Sequence, residues 1–148
     1  MTTWLVDTGP LVAYLDARDR AHQQVSACLD GFTGQLATTS AVVTEAMHFV
    51  SAAPAGPRLL ADLLQATGTV VYDLSKPSVL DEVVTLMERY RDTPMDYADG
   101  TLVRLAEAID VFDVLTLDRR GFSTYRARRT HGLRLVLDLA RPGERFAP

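Results

Sequence analysis

Residues 114–122 read VLTLDRRGF. Val114, Leu115, Thr116 and Leu117 suit a buried strand, Asp118 ends the run on a carboxylate, and Arg119, Arg120 and Gly121 follow at once. A short run of this kind, bounded by turn signals, fits a strand covered on both faces, as in parallel sheets. Working outward, similar runs occur as TWLVD (3–7), QLATT (35–39), TVVYD (69–73), DVLTLD (113–118) and LRLVLD (133–138). Between them lie PLVAYLDA, AHQQVSACLDG, SAVVTEAMHFVSA, PRLLADLLQAT, SVLDEVVTLMERY and DYADGTLVRLAEAI. In the fifth of these, Val79, Val83, Leu86, Met87 and Tyr90 recur at helical spacing and leave Asp81, Glu82, Glu88 and Arg89 for solvent. Strands alternating with helices predict an α/β fold: a three-layer α/β/α sandwich around a central, mainly parallel sheet of about five strands.

The punctuation agrees. Gly9-Pro10 closes the first strand and opens a helix with Pro10 near its first position, Ser40 and Ser78 stand where N-caps are wanted, and APAGP (53–57) separates two helices. No repeat or linker divides the chain, so residues 1–148 are expected to form a single domain. The hydrophobic content of 47% is that of a soluble globular protein, and no apolar run approaches the length of a membrane span. The start, MTTWLVDTGP, does not read as a secretory signal, which makes a cytoplasmic location the expectation. A lone cysteine, Cys28, excludes an internal disulfide and reads as a buried helix residue, and His22, His48 and His131 lack ligand-like spacing.

Net charge is −4, unevenly spread: residues 1–118 carry 7 basic and 17 acidic side chains, residues 119–148 carry 8 basic and 2 acidic. Arg119, Arg120, Arg126, Arg128, Arg129 and Arg134 crowd the start of that basic end. Two readings stay open, a solvated basic surface and a patch whose guanidinium forks contact phosphate.

The carboxylates gain meaning from the fold. In an open parallel sheet, ligands bind where strand carboxyl ends meet the following helices, and Asp7 and Asp118 both belong at that edge. Asp96 and Asp99 share a face in the first turn of one helix, Asp96 as its N-cap. Glu45 stands between Val42 and Phe49 at helical spacing and so borders an apolar face, where a carboxylate costs desolvation unless it is paired or metal-bound. Helix capping explains strand-end aspartates equally well, and Asp73 and Asp138 occupy similar positions. Placement alone does not choose Asp7 over Asp73.

Four separated features together, LVDTGPLVAYLD, the glutamate in the helix after the second strand, MDYADGTLVRLAE and VLTLDRRGFSTYR, resemble the PIN-domain family, especially its VapC-type toxins, over nearly the whole chain. The resemblance implies a metal-dependent ribonuclease whose acids correspond to Asp7, Glu45, Asp99 and Asp118, with Asp96 auxiliary and Asp73 and Asp138 structural. An oxygen-only ligand set points to Mg²⁺ or Mn²⁺, and the implied chemistry is hydrolysis of an RNA phosphodiester by metal-activated water. Thr8 and Thr116, beside two of the acids, either orient carboxylates and waters or serve as strand residues. Arg119, Arg120, Arg126, Arg128 and Arg129 would then hold the RNA backbone. Such toxins imply a cognate antitoxin partner, and a homodimer is also expected. Leu11, Tyr14 and Leu15 are candidates for that surface, with core packing as the alternative. Gly100 departs from the family's usual alanine at a cost of about 1 kcal/mol in helix propensity. A PIN nuclease of RNA processing outside toxin-antitoxin systems and a non-catalytic RNA-binding module are the remaining readings.

Overall fold

The computed structural model describes residues 1–139; Arg141, Glu144 and Arg145 of the basic end lie outside them. In chain order the elements are β1 (Thr3–Val6), α1 (Thr8–Leu15), α2 (His22–Asp30), β2 (Gln35–Thr39), α3 (Ser40–Val50), α4 (Gly56–Ala66), β3 (Val70–Tyr72), α5 (Pro77–Arg89), α6 (Tyr97–Ile109), β4 (Asp113–Leu115), α7 (Arg119–Thr124), β5 (Arg126–Ala127), β6 (His131–Gly132), β7 (Arg134–Leu135) and α8 (Val136–Leu139). Five strands form one parallel sheet in the order β3-β2-β1-β4-β7, and β5 pairs antiparallel with β6 as a small ribbon.

Strand β1 is central, with Leu5 aligned to Ala37 on one side and to Val114 on the other. Trp4, Leu5 and Val6 are all buried, as a strand covered on both faces requires. From β1 the chain steps outward to β2 and β3, then returns past β1 to β4 and β7. Helices α1 to α4 pack on one another, α5 packs on α6, and α6 in turn meets both β2 and α3. The reversal of direction falls between β1 and β4, and there the outgoing connections part and open a crevice at the strands' carboxyl ends. Among the described residues no helix is long and apolar enough to cross a membrane.

Several local expectations shift by a turn. Asp7, not Gly9, begins the first helix: it caps α1, so Pro10 falls at the third helical position. Thr39 rather than Ser40 caps α3, its hydroxyl accepting from Val42 N at 3.2 Å, while Ser78 lies inside α5, whose start has no side-chain cap. DVLTLD is strand only to Leu115, because the Thr116 hydroxyl accepts from the Asp118 amide at 3.0 Å and turns the chain. LRLVLD is strand only over Arg134–Leu135 and then becomes α8, so the ladder with β4 stops at Leu135 although β4 itself runs to Leu115. The helix RRGFST and the β5–β6 ribbon carry too few apolar residues to announce themselves.

Leu11 is core, Leu15 packs partly against it, and the Tyr14 hydroxyl donates to Asp30 at 2.8 Å, so these three side chains serve the fold. Cys28 is buried, and burial pushes its thiol up to about 11. Gly100 has a packing reason: a Cβ there would lie 2.8 Å from Val83 Cγ1, so glycine lets α6 approach α5.

Candidate functional site

Asp7, Glu45, Asp96, Asp99 and Asp118 line one open cavity of about 450 Å³ at the carboxyl edge of the sheet. Three helices begin at that cavity, and their caps are the acids. Asp7 caps α1, Asp96 caps α6 with Asp99 completing a reciprocal capping box, and Asp118 caps α7. Capping and cavity-lining are therefore the same arrangement, since a helix N-terminus favours negative charge. Asp73 instead accepts from Ser75 N and Ser40 Oγ, and Asp138 pairs with Arg119 at 3.1 Å.

Asp7 is 7% exposed and fully engaged, its Oδ1 accepting from Thr8 N and its Oδ2 from Thr116 Oγ1, both at 2.8 Å. Thr116 thus links two acids, donating to Asp7 and accepting from the Asp118 amide. Burial pushes the Asp7 carboxyl up to about 6 against those two hydrogen bonds, with the charges of Asp96 and Glu45 adding. Asp99 accepts from Asp96 N at 3.2 Å, and Asp96 accepts from Asp99 N at 2.8 Å. Burial first, and then the charges of Asp7, Asp96 and Asp118, push Asp99 up to about 8. Asp118 is exposed, and its Oδ1 accepts from Gly121 N at 3.0 Å. A Cβ at Gly121 would fall 2.3 Å from Asp118 Oδ2, so only glycine leaves that carboxylate its place.

Glu45 reaches the cavity from α3, whose start is tied to α6 by the buried Thr39–Thr101 hydroxyl pair at 2.8 Å. Beneath the acids lies Tyr125, fully buried, its hydroxyl donating to Pro94 O at 2.9 Å; burial, and then the charges of Asp99 and Asp118, raise its pKa.

The arginines divide. Arg119 follows Asp118 but pairs with Asp138, and Arg120 is exposed. Arg126 donates to the carbonyls of Ser123, Thr124 and Tyr125. Arg128 pairs with Asp110 at 3.1 Å, donates to Glu107 O and lies 6.0 Å from the centre of the Phe112 ring. Arg128 and Arg129 line a separate cavity of about 560 Å³ against α5 and α6.

Sequence reasoning missed two parts of the lining. Asp19, in the turn after α1, is a sixth carboxylate, and its Oδ1 accepts from Ala21 N; an aspartate in a polar turn carries no distinguishing signal. Val12, Phe49 and Leu117 also line the cavity. Phe49 was expected on the buried face beside Glu45, yet it is 55% exposed because Val42, Ala46 and Val50 already fill that face.

Among the described residues no three Asp, Glu, His or Cys side chains close into a ready-made metal cage. The donors nevertheless suit a hard cation that keeps part of its water shell. All are oxygens, burial and then neighbouring charge disfavour the ionised forms of Asp7 and Asp99, and the Thr8 hydroxyl, 4% exposed in the same lining, has no hydrogen-bond partner.

Comparison with known proteins supplies the lineage. The chain is 31% identical to Ribonuclease VapC26 of Mycobacterium tuberculosis over 124 residues, covering 82% of this chain and 91% of that protein. No protein-family profile matches the sequence. The crystal structure of M. tuberculosis VapC20, a sarcin–ricin loop-cleaving toxin, superposes with a TM-score of 0.70 at 15% identity, over 80% of this chain and 91% of that one. FitAcB from Neisseria gonorrhoeae superposes with a TM-score of 0.57 at 16% identity, over 87% and 95%. These two likenesses establish the fold.

Proposed function

Since the chain belongs to the VapC family of PIN-domain ribonucleases, we propose that it is a toxin ribonuclease that hydrolyses RNA phosphodiester bonds with a divalent cation at the cavity of Asp7, Glu45, Asp99 and Asp118. The observation that carries this reading is the meeting of these four acids, from four separated stretches of sequence, at the switch point of the sheet.

Asp7, Glu45, Asp99 and Asp118 would hold the ion directly or through water, with Asp96 auxiliary and the free Thr8 hydroxyl orienting a water. Bound Mg²⁺ or Mn²⁺ supplies Lewis-acid polarisation of the phosphoryl group and lowers the pKa of a water nucleophile. The chain's own work is to hold its carboxylates still. Thr116 and Thr8 N fix Asp7, the capping box fixes Asp99, and Gly121 N fixes Asp118. Exposed Arg120, together with Arg119 once it leaves Asp138, would meet backbone phosphate just beyond Asp118. A cognate antitoxin that covers this cavity is the partner the family reading implies, and two copies of the chain are proposed to associate.

Incubating the purified chain with a structured RNA pool in Mg²⁺, in Mn²⁺ and in EDTA, beside Asp99→Asn, tests the proposal. Cleavage that requires the cation and drops at least about a hundredfold in Asp99→Asn is expected. Equal cleavage in EDTA, or by a folded Asp99→Asn chain, overturns it.

A further inference from the structure

The lining of the acid cavity is chemically divided, and its apolar part has no role in holding a cation. Beside the carboxylates stand Val12, Phe49 and Leu117. Leu117 is held against α1 at Gly9, where a Cβ would come within 3.3 Å of Leu117 Cδ1. Phe49 is the aromatic member and is 55% exposed, with His48 edge-on at 5.6 Å. Its ring is not needed by the core, because Val42, Ala46 and Val50 anchor the same helix.

Resting on the ribonuclease reading, we propose that Phe49 is a substrate-binding residue that stacks on a base of single-stranded RNA beside the scissile phosphodiester. Phe49 follows Glu45 by one helical turn, which sets the ring roughly 6 Å along α3 from that carboxylate. A phosphate at the acids therefore leaves its own or the adjacent base within reach of the ring. No lysine or arginine lines the cavity among the described residues, and a wall of carboxylates repels the RNA backbone. Arg119 and Arg120 stand beyond that lining, so the cavity wall's own side-chain contact with RNA is a neutral one, and base stacking on an exposed aromatic face is such a contact and tolerates any base.

The test begins with an RNA that the native chain cleaves in Mg²⁺ and Asp99→Asn does not; if no such RNA exists, the underlying reading fails and this proposal falls with it. An oligoribonucleotide spanning the mapped cut, with 2-aminopurine beside the cut, is then given to the whole chain carrying Phe49→Ala, Phe49→Leu or Phe49→Trp. Phe49→Ala and Phe49→Leu are expected to raise KM roughly 5- to 100-fold with kcat nearly kept, while Phe49→Trp restores the native KM. In the cleavage-blocked Asp99→Asn chain, 2-aminopurine emission is quenched on binding, and adding Phe49→Leu abolishes the quenching. A native KM for Phe49→Leu, or a Phe49→Ala chain that loses a protein partner or its dimer while KM is unchanged, overturns the proposal and assigns the ring to a protein contact.

Discussion

Asp7 and Asp99 keep protons that the same residues release in the unfolded chain. Their carboxyls titrate near 6 and near 8 in the fold against the usual value of 3.8. Between about pH 4 and pH 8 the folded state binds more protons than the unfolded, so metal-free stability is full below the lower value and is lost as pH rises through the folded pKa values. Thermal melts in EDTA are expected to show Tm falling across that window, with Asp7 alone costing on the order of 3 kcal/mol once ionised. Asp99→Asn is expected to flatten the part from pH 6 to pH 8; an unchanged slope there would remove Asp99 as its source. A cation must displace the same protons, so Mg²⁺ should raise Tm more at pH 8 than at pH 6, and a pH-independent shift would count against these ligands. Gly121 sets a second residue-scale test. Gly121→Ala leaves every carboxylate in the chain but pushes a methyl into the place of Asp118 Oδ2. Its kcat is expected to fall at least about tenfold, approaching that of Asp118→Ala, whereas a native rate would show that Asp118 acts from elsewhere.

At the scale of elements, helix starts decide the site. Four residues that could be strand ends or caps, Asp7, Asp96, Asp118 and Thr39, are all N-caps, and three of them aim α1, α6 and α7 at one cavity. Periodicity located α1, α3, α5 and α6 to within a turn, because apolar spacing is strong along α5 and α6 and Asp96 adds a capping signal. It failed on α7 and the β5–β6 ribbon, whose short spans are fixed by tertiary hydrogen bonds such as Arg126 N to Tyr90 Oη at 2.9 Å. Gly100 shows the same division. By propensity it is a weak helix residue, but the contact with Val83 makes it the joint between α5 and α6. Gly100→Ala is therefore expected to lower stability by ~1 kcal/mol, overpacking exceeding the gain in propensity. Combined with Val83→Ala, the same change should turn neutral or stabilising; denaturant unfolding of the double-mutant cycle measures this, and simple additivity would dismiss the clash.

For the whole molecule, the sheet order places the site and the charge distribution frames it. Strands β1 and β4 are neighbours although a hundred residues separate them, and their pairing brings Asp7 beside Thr116 and so beside Asp118. Thr116→Val tests this cross-sheet link: it removes the donor to Asp7 Oδ2 and the acceptor for the Asp118 amide together. Stability is expected to fall by roughly 1–3 kcal/mol and metal-dependent cleavage to fall with it, and native values for both would show that the link is dispensable. Among the described residues the basic end does not gather into one patch, since Arg119, Arg126 and Arg128 hold carboxylates or carbonyls while Arg128 and Arg129 open on another cavity. By itself the sequence determined the α/β class and the parallel strands, because periodicity is local; the choice among its acids came from the resemblance to the PIN-domain family, since strand-end placement did not separate Asp7 from Asp73. Tertiary structure alone decided that Asp19 joins those acids, that Phe49 stays in the open, that Gly121 leaves room for Asp118 and that Gly100 lets α6 approach α5. Those outcomes depend on which surfaces meet across the crevice, and no spacing along the chain encodes a contact between distant turns.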